Sequence, residues 1–310
     1  MKAGPKVLIA SDETGWHTRQ LQQALKARGW DSRCVDLEDC RFDGSAAWHG
    51  LVLPGLGAAL PEAVIVRGIA GGSFEQVTKR LSILHALQAL GVPVYNEGRA
   101  IERSVDKAMT SWLLQQAGVP TPAAWAMESS AQAQRLVMRE SAAGRALVLK
   151  PLFGSQGKGL QKLGWVDGQH VPLPALDGPY GQLAYLQRYV PGATHDWRVL
   201  VIGGRAAAAM QRSGTGWVHN VAQGARCQPA PLSPALADIA ERASSALGLD
   251  YAGVDVVPTP AGGLLVLEVN GVAAWRGLQQ VCPFNIAQAL VADLLDRKLA
   301  LRQGTQERSA

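Results

Sequence analysis

The stretch AGVDVVPTPAGGLLVLEVN, residues Ala252 to Asn270, holds two apolar runs on either side of a Pro-Thr-Pro-Ala-Gly-Gly turn signal. Folded as a hairpin about Ala261–Gly262, the runs set Asp255 opposite Glu268. Glu268 and Asn270 are two apart, so on a strand their side chains leave the same face. Three oxygen-bearing side chains then converge at one end of a ladder otherwise made of Val and Leu. Carboxylates on a buried apolar sheet are costly unless paired or metal-bound. Hard oxygen donors without His or Cys suit Mg²⁺, which shares its shell with phosphate and water. The competing reading is a carboxylate pair matched to nearby arginines on an edge strand.

Upstream, the strand-like run Ala146–Lys150 ends in a lysine and meets a glycine-rich turn, Gly154-Ser155-Gln156-Gly157-Lys158-Gly159. A charge closing an Ala-Leu-Val-Leu run needs a reason, and free backbone N–H groups in such a turn can fold over phosphates. The turn is not a G-x-x-x-x-G-K-[ST] loop, because Leu152 and Gly159 occupy two of the required positions. It leads into another strand candidate, Leu160–Gly164, so taken by itself it reads better as a plain surface hairpin. Lys107, Arg198 and Arg212 are further cations along the chain, each readable as a solvated surface charge. Gly214–Gly224 reads as a mobile active-site loop or as a mere connection.

Two patterns are excluded. Gly55-Leu56-Gly57 imitates the start of a dinucleotide fingerprint, but Leu60 stands where the third glycine belongs. The six histidines are scattered, and none joins a nucleophile signature.

Around these motifs the 310 residues are 47% hydrophobic and 18% charged, as in a globular protein. No apolar run approaches the roughly 20 residues that span a bilayer, and Met1–Ala10 reads as a first strand rather than a signal peptide; a cytoplasmic protein is expected. The four cysteines form no C-x-x-C pair, so reduced structural thiols are expected. A net charge of +5 is spread along the chain, which argues for anionic substrates rather than nucleic acid. Strand and helix alternate up to Asn96, with a capping box at Ser73–Gln76, and predict an open α/β lobe with a mostly parallel sheet. Ser104 is predicted to cap a helix bearing Met109, Trp112 and Leu113. The remainder is strand-rich, with helices expected over Ser233–Leu247 and Asn285–Leu299 and a polar tail from Arg302.

Taken in order, Asp106-Lys107, Val148-Leu149-Lys150-Pro151 and its glycine loop, Gln187-Arg188-Tyr189-Val190, Asp196-Trp197-Arg198, Asn220, Ala252-Gly253-Val254-Asp255 and Leu267-Glu268-Val269-Asn270 resemble an ATP-grasp enzyme. The resemblance covers most of the chain and is nearest to RimK-type glutamate ligases. It implies an α/β (α+β) ATP-grasp fold: a pre-ATP-grasp lobe over 1–97, a central lobe with a glycine-rich lid over 98–190, a C-terminal lobe with the metal site over 191–301, and a flexible tail over 302–310.

The resemblance also implies roles. Lys107 and Lys150 contact the phosphates of ATP, with Gly154, Ser155, Gln156 and Gly157 as the lid. Gln187 and the backbone of Arg188, Tyr189 and Val190 meet the adenine, with Asp196 near the ribose or hinge. Asp255, Glu268 and Asn270 hold two Mg²⁺ ions, with Mn²⁺ as the alternative. Arg198, Arg212 and Asn220 sit by the phosphates and an acyl-phosphate intermediate, which an amine attacks with release of ADP and phosphate. The expected substrates are a small-molecule or peptide carboxylate and an amino acid, glutamate foremost, and the expected assembly is a homodimer or homotetramer. Two features depart from the family: Arg188 replaces the usual hinge glutamate, and Gly271–Gly277 replaces a Ser-Pro-Gly step. With Val66–Ser73, the second departure is similar to RimK-like proteins associated with tetrahydromethanopterin in methylotrophic bacteria. Arg67 and Arg276 are candidate carboxylate binders, or arginines serving surface ion pairs. A kinase on the same fold, another peptide or amino-acid ligase of the glutathione-synthetase or lysine-biosynthesis kind, and a non-catalytic nucleotide-binding protein are the alternatives.

Overall fold

The computed structural model describes residues 6–154, 157–214, 216–218 and 224–301. The chain opens with β1 (Lys6–Ala10), α1 (Trp16–Ala27) and β2 (Asp31–Val35), then a short hairpin of β3 (Arg41–Phe42) and β4 (Leu51–Val52). It continues through β5 (Ala63–Val66), α2 (Phe74–Ala89) and β6 (Val94–Tyr95). Strands pair in the order β2-β1-β5-β6, and every pairing is parallel. The run Ala63–Val66 is buried throughout, as a parallel strand covered on both faces must be. Ser73 and Gln76 form the capping box that starts α2.

Next come α3 (Gly98–Val105) and α4 (Lys107–Gln116). The cap between them corrects the sequence expectation. Ser104 lies inside α3 with its hydroxyl on the Ile101 carbonyl, and it is Asp106 whose carboxylate accepts from the N–H groups of Ala108 and Met109, at 2.9 and 3.0 Å. Asp106 wins because the backbone leaves the helical region there.

The second sheet is antiparallel. It contains β7 (Ala124–Met127), β8 (Ala146–Lys150), β9 (Gln161–Val166), β10 (Gln169–Val171) and β11 (Ala184–Arg188), in the order β10-β9-β8-β11-β7. Helix α5 (Ser130–Ala142) covers it and was not foreseen, because Glu140 and Ser141 break the apolar stripe of Ala133, Leu136 and Val137.

The third sheet holds β12 (His195–Ile202), β13 (Arg205–Ser213), β14 (Arg226–Ala230), β15 (Tyr251–Pro258) and β16 (Leu264–Asn270), in the order β14-β13-β12-β15-β16. Helix α6 (Pro234–Leu247) lays Leu236, Ile239, Ala240, Ala243 and Leu247 on it and stops at Gly248, whose φ of 75° suits glycine. The edge strand β16 is not left bare, since the Val266 N–H donates to the Pro120 carbonyl and Thr121 Oγ1 donates to the Val266 carbonyl. Short α7 (Arg276–Gln279) and α8 (Ile286–Ala292) follow, and the last helix continues as a π-helical segment over Asp293–Leu299.

One core joins the first and third sheets: Val7, Ile9, Leu21 and Leu25 share it with Tyr251, Trp275, Ile286 and Leu290. A separate core lies between α5 and the second sheet. The polar tail lies outside the described residues. Among the described residues no helix is long and apolar enough to cross a membrane.

Candidate active site

A cavity opens between the second and third sheets. Lys150 and Val148 of β8 and Gln187 and Arg188 of β11 line one side, and Asp196, Arg212, Asp255, Val257, Leu267 and Glu268 line the other. Lys107, Gly154, Gly157, Tyr189 and Val190 complete the wall. Ser155, Gln156 and Asn220, also expected here, lie outside the described residues.

The founding hairpin forms, with a twist in its register. Near the turn Pro258 pairs with Leu264 and Val256 with Val266, so without a bulge Asp255 would oppose Leu267. A one-residue irregularity after Asp255 restores the pairing of Asp255 with Glu268 and of Gly253 with Asn270. Bulges re-aim side chains beside functional sites, and here the bulge lets Leu267 and Glu268 both reach the cavity.

The arginine-matched reading of this carboxylate cluster has its counterpart at Asp255. Asp255 is an arginine-bound carboxylate: Arg198 grips it through Nε and through Nη2 at 2.8 Å, and Arg212 Nη2 stands 3.1 Å away. Burial pushes the Asp255 carboxyl up, and Arg198 and Arg212 outweigh it, so the group sits below the usual carboxylate range. Arg212 in turn binds Asp196 in fork fashion, at 2.7 and 2.8 Å. Asp196 therefore lines the cavity near the hinge as the charge partner of Arg212. Arg198 and Asn270 do not line the cavity; Asn270 Nδ2 donates to the Gly253 carbonyl at 3.3 Å. Among the described residues no group of three or more His, Cys, Asp and Glu could cage a metal. Two carboxylates and one amide fit a hard divalent cation that draws its other ligands from phosphate and water.

Facing this acidic pair are two lysines. Lys150 donates to Gln187 Oε1 at 2.6 Å, and Lys107 donates to the carbonyls of Leu152 and Gly154, tying α4 to the lid segment. The Nε2 of Gln187 is buried without a partner, a donor in the cavity wall for a ligand acceptor to satisfy. Burial lowers Lys107, against Glu268 and Asp106. Burial lowers Lys150 to about 8, with Glu268 and Asp255 opposing and Lys107 assisting.

A proton linkage follows for Lys150. Its value lies below the ordinary 10.5, so in the ligand-free protein the ammonium loses its proton as the pH rises through about 8. A polyphosphate favours the charged form and makes binding take up a proton above that point. Nucleotide affinity measured by calorimetry is therefore expected to weaken steadily above about pH 8, and Lys150→Met to flatten the dependence. An affinity constant up to about pH 9.5 would remove Lys150 from the phosphate site.

Arg188, the hinge departure, turns to Glu140. Its Nη2 donates to the buried Glu140 carboxylate at 2.9 Å, and Arg145 Nε does so at 2.8 Å. Burial raises the Glu140 carboxyl, and Arg145 and Arg188 bring it below the usual range. An acid missing from the hinge reappears on α5 as the partner of the arginine that replaces it.

Arg67 and Arg276 lie away from this cavity, where the first and third sheets meet. Arg67 Nη1 donates to the Val272 carbonyl, and its guanidinium lies 5.1 Å from the centre of the Trp275 ring. The His17 ring, which belongs to no sequence motif, accepts at Nε2 from the backbone N–H groups of Trp275 and Arg276.

Comparison with known proteins agrees with this architecture. Residues 6–101 match the RimK PreATP-grasp domain, and residues 104–294 match the RimK-like ATP-grasp domain. A tetrahydromethanopterin:alpha-L-glutamate ligase of Methanosarcina acetivorans is 30% identical over 92% of this chain and 97% of its own length. A probable alpha-L-glutamate ligase of Shewanella amazonensis is 26% identical over 94% and 95%. Among solved structures, the ATP-grasp ligase PsnB in complex with a minimal precursor, Mg and ADP superposes with a TM-score of 0.71, at 21% identity, over 96% of this chain and 99% of that one. A RimK domain ATP-grasp protein of Sphaerobacter thermophilus gives 0.66 at 22% identity, over 92% and 97%. At these identities the structures show the fold, while the sequence matches go further: the chain belongs to the RimK-type ATP-grasp family and is an ATP-dependent carboxylate–amine ligase.

Proposed function

We propose that this enzyme joins the amino group of L-glutamate to a carboxylate of a tetrahydromethanopterin-type cofactor. The observation that carries the reading is the 30% identity, along nearly the whole of both chains, to the methanogen enzyme named for that reaction. The cavity chemistry supports the activation step. Lys107 and Lys150 face Asp255 and Glu268 across a space lined by the hinge, Gln187 to Val190.

In this reading the hinge backbone and the free amide N–H of Gln187 hold the base, and the two lysines hold the phosphates. Asp255, Glu268 and Asn270 would hold two Mg²⁺ ions, or Mn²⁺, which would supply positive charge toward the phosphoryl group. The acceptor carboxylate oxygen attacks the γ-phosphorus and ADP leaves; the amine then attacks the acyl carbon, loses a proton and expels phosphate. Arg212 and Arg198 keep Asp255 ionised.

The test is release of ADP and phosphate with Mg²⁺-ATP, L-glutamate and a panel of carboxylates that includes reduced pterins. Glutamate-dependent release of both products, with a matching mass gain on a pterin, is expected. The same gain on another carboxylate would replace the acceptor, and ADP without free phosphate would point to a kinase.

A further inference from the structure

We infer that Arg67 and Arg276 form a two-carboxylate site for the amine-donating amino acid, and that His17 is the positioning residue that holds this site together; the inference rests on the ligase reading above. An acidic amino acid that reacts through its amine keeps both carboxylates spare, whereas a neutral one keeps only one. Two arginines free of acidic partners match the first. Among the described residues neither Arg67 nor Arg276 forms an ion pair. Arg67 is half-buried at the end of β5, and Arg276 is exposed at the start of α7. Arg67 donates to the Val272 carbonyl, hydrogen-bonds the Tyr251 side chain and stacks on Trp275, and a guanidinium with five N–H groups keeps further donors for a ligand.

The place is right as well as the charge. The segment that carries Arg276 packs onto the arginine that grips Asp255: a Cβ at Gly253 would come within 2.9 Å of Ala273 Cβ and 3.0 Å of Arg198 Cδ. One end of that segment thus lies beside Gly253, two residues from Asp255 of the cavity wall, and the other carries Arg276. Only a glycine at 253 permits this approach.

His17 ties the segment to the first lobe. Its Nε2 accepts from the N–H of Trp275 at 3.1 Å and of Arg276 at 3.2 Å, which requires a neutral ring with that nitrogen bare. Its surroundings keep it neutral, since burial, then Arg67 and Arg276, lower the imidazole to about 4. The ring packs edge-on to Trp275 at 4.6 Å. Two cations so near a histidine are otherwise unfavourable, and a bound dianion relieves the repulsion between them.

Steady-state kinetics on the full chain test this. For Arg67→Met and Arg276→Met, KM for L-glutamate is expected to rise roughly 10- to 100-fold, a charged hydrogen bond's worth, with KM for ATP unchanged. The preference for glutamate over glutamine should collapse toward parity. His17→Leu, which has no acceptor for the two N–H groups, should raise KM for glutamate while leaving KM for ATP. His17→Gln, which keeps an acceptor, should recover most of the loss. If the unaltered protein uses glutamate and both arginine variants change its KM by less than about threefold, the site assignment fails and the ligase reading stands. If His17→Leu shifts both KM values alike, the positioning role fails. Absence of any amino-acid-dependent ADP release by the unaltered protein would overturn the ligase reading and this assignment with it.

Discussion

Glu268→Gln is expected to lower kcat by at least about a thousandfold and to leave the protein folded. Glutamine keeps the shape of the side chain and removes its charge. That charge is felt across the cavity by Lys107, Lys150 and Tyr185, so it sets the field in which a phosphoryl group would move. The fold itself leans on the neighbour instead: it is Asp255 that Arg198 and Arg212 bind directly. Loss of the Glu268 charge is therefore expected to cost turnover without costing these ion pairs. ADP release together with a melting curve checks both halves. Turnover within about tenfold of the unaltered enzyme would show that Glu268 holds no metal.

Arg212→Met carries the largest expected cost in stability, about 3–5 kcal/mol. The guanidinium is 3% exposed and neutralises two carboxylates, Asp196 and Asp255, that are themselves 6% exposed. Its removal leaves Asp196 buried without that guanidinium and weakens the hold on Asp255, and a buried charge that loses its partner costs far more than the pair contributed. The expected readout is a large drop in the urea midpoint, with Asp196→Asn added to the same chain restoring part of it, because one of the stranded charges is then gone. A loss below about 1 kcal/mol would mean that water already reaches these carboxylates.

The sequence and the structure part company at identifiable places. Apolar runs and turn chemistry made the first sheet, helix α6 and the hairpin of β15 and β16 legible, because each is fixed by residues within a few positions of one another. Helix α5 escaped because its inner face carries Glu140, a charge that reads as exposed until Arg188 of β11 is brought to it beside the nearby Arg145. The cap at Asp106 rather than Ser104 escaped because both residue types cap equally well, and the choice lies in where the backbone bends.

By itself the sequence nominated Asp255, Glu268, Asn270 and Lys150 as candidates by residue type and by spacing along strands and loops, and Lys107 through the family resemblance. Only the tertiary structure decided how they are charged and what they touch. Asp255 is bound by two arginines from β12 and β13, Lys150 is lowered toward neutrality by burial, and His17 meets Trp275 from 258 positions away. The physical reason is that periodicity and propensity act over a turn or a strand, whereas desolvation and ion pairing depend on which surfaces the folded sheets bring together.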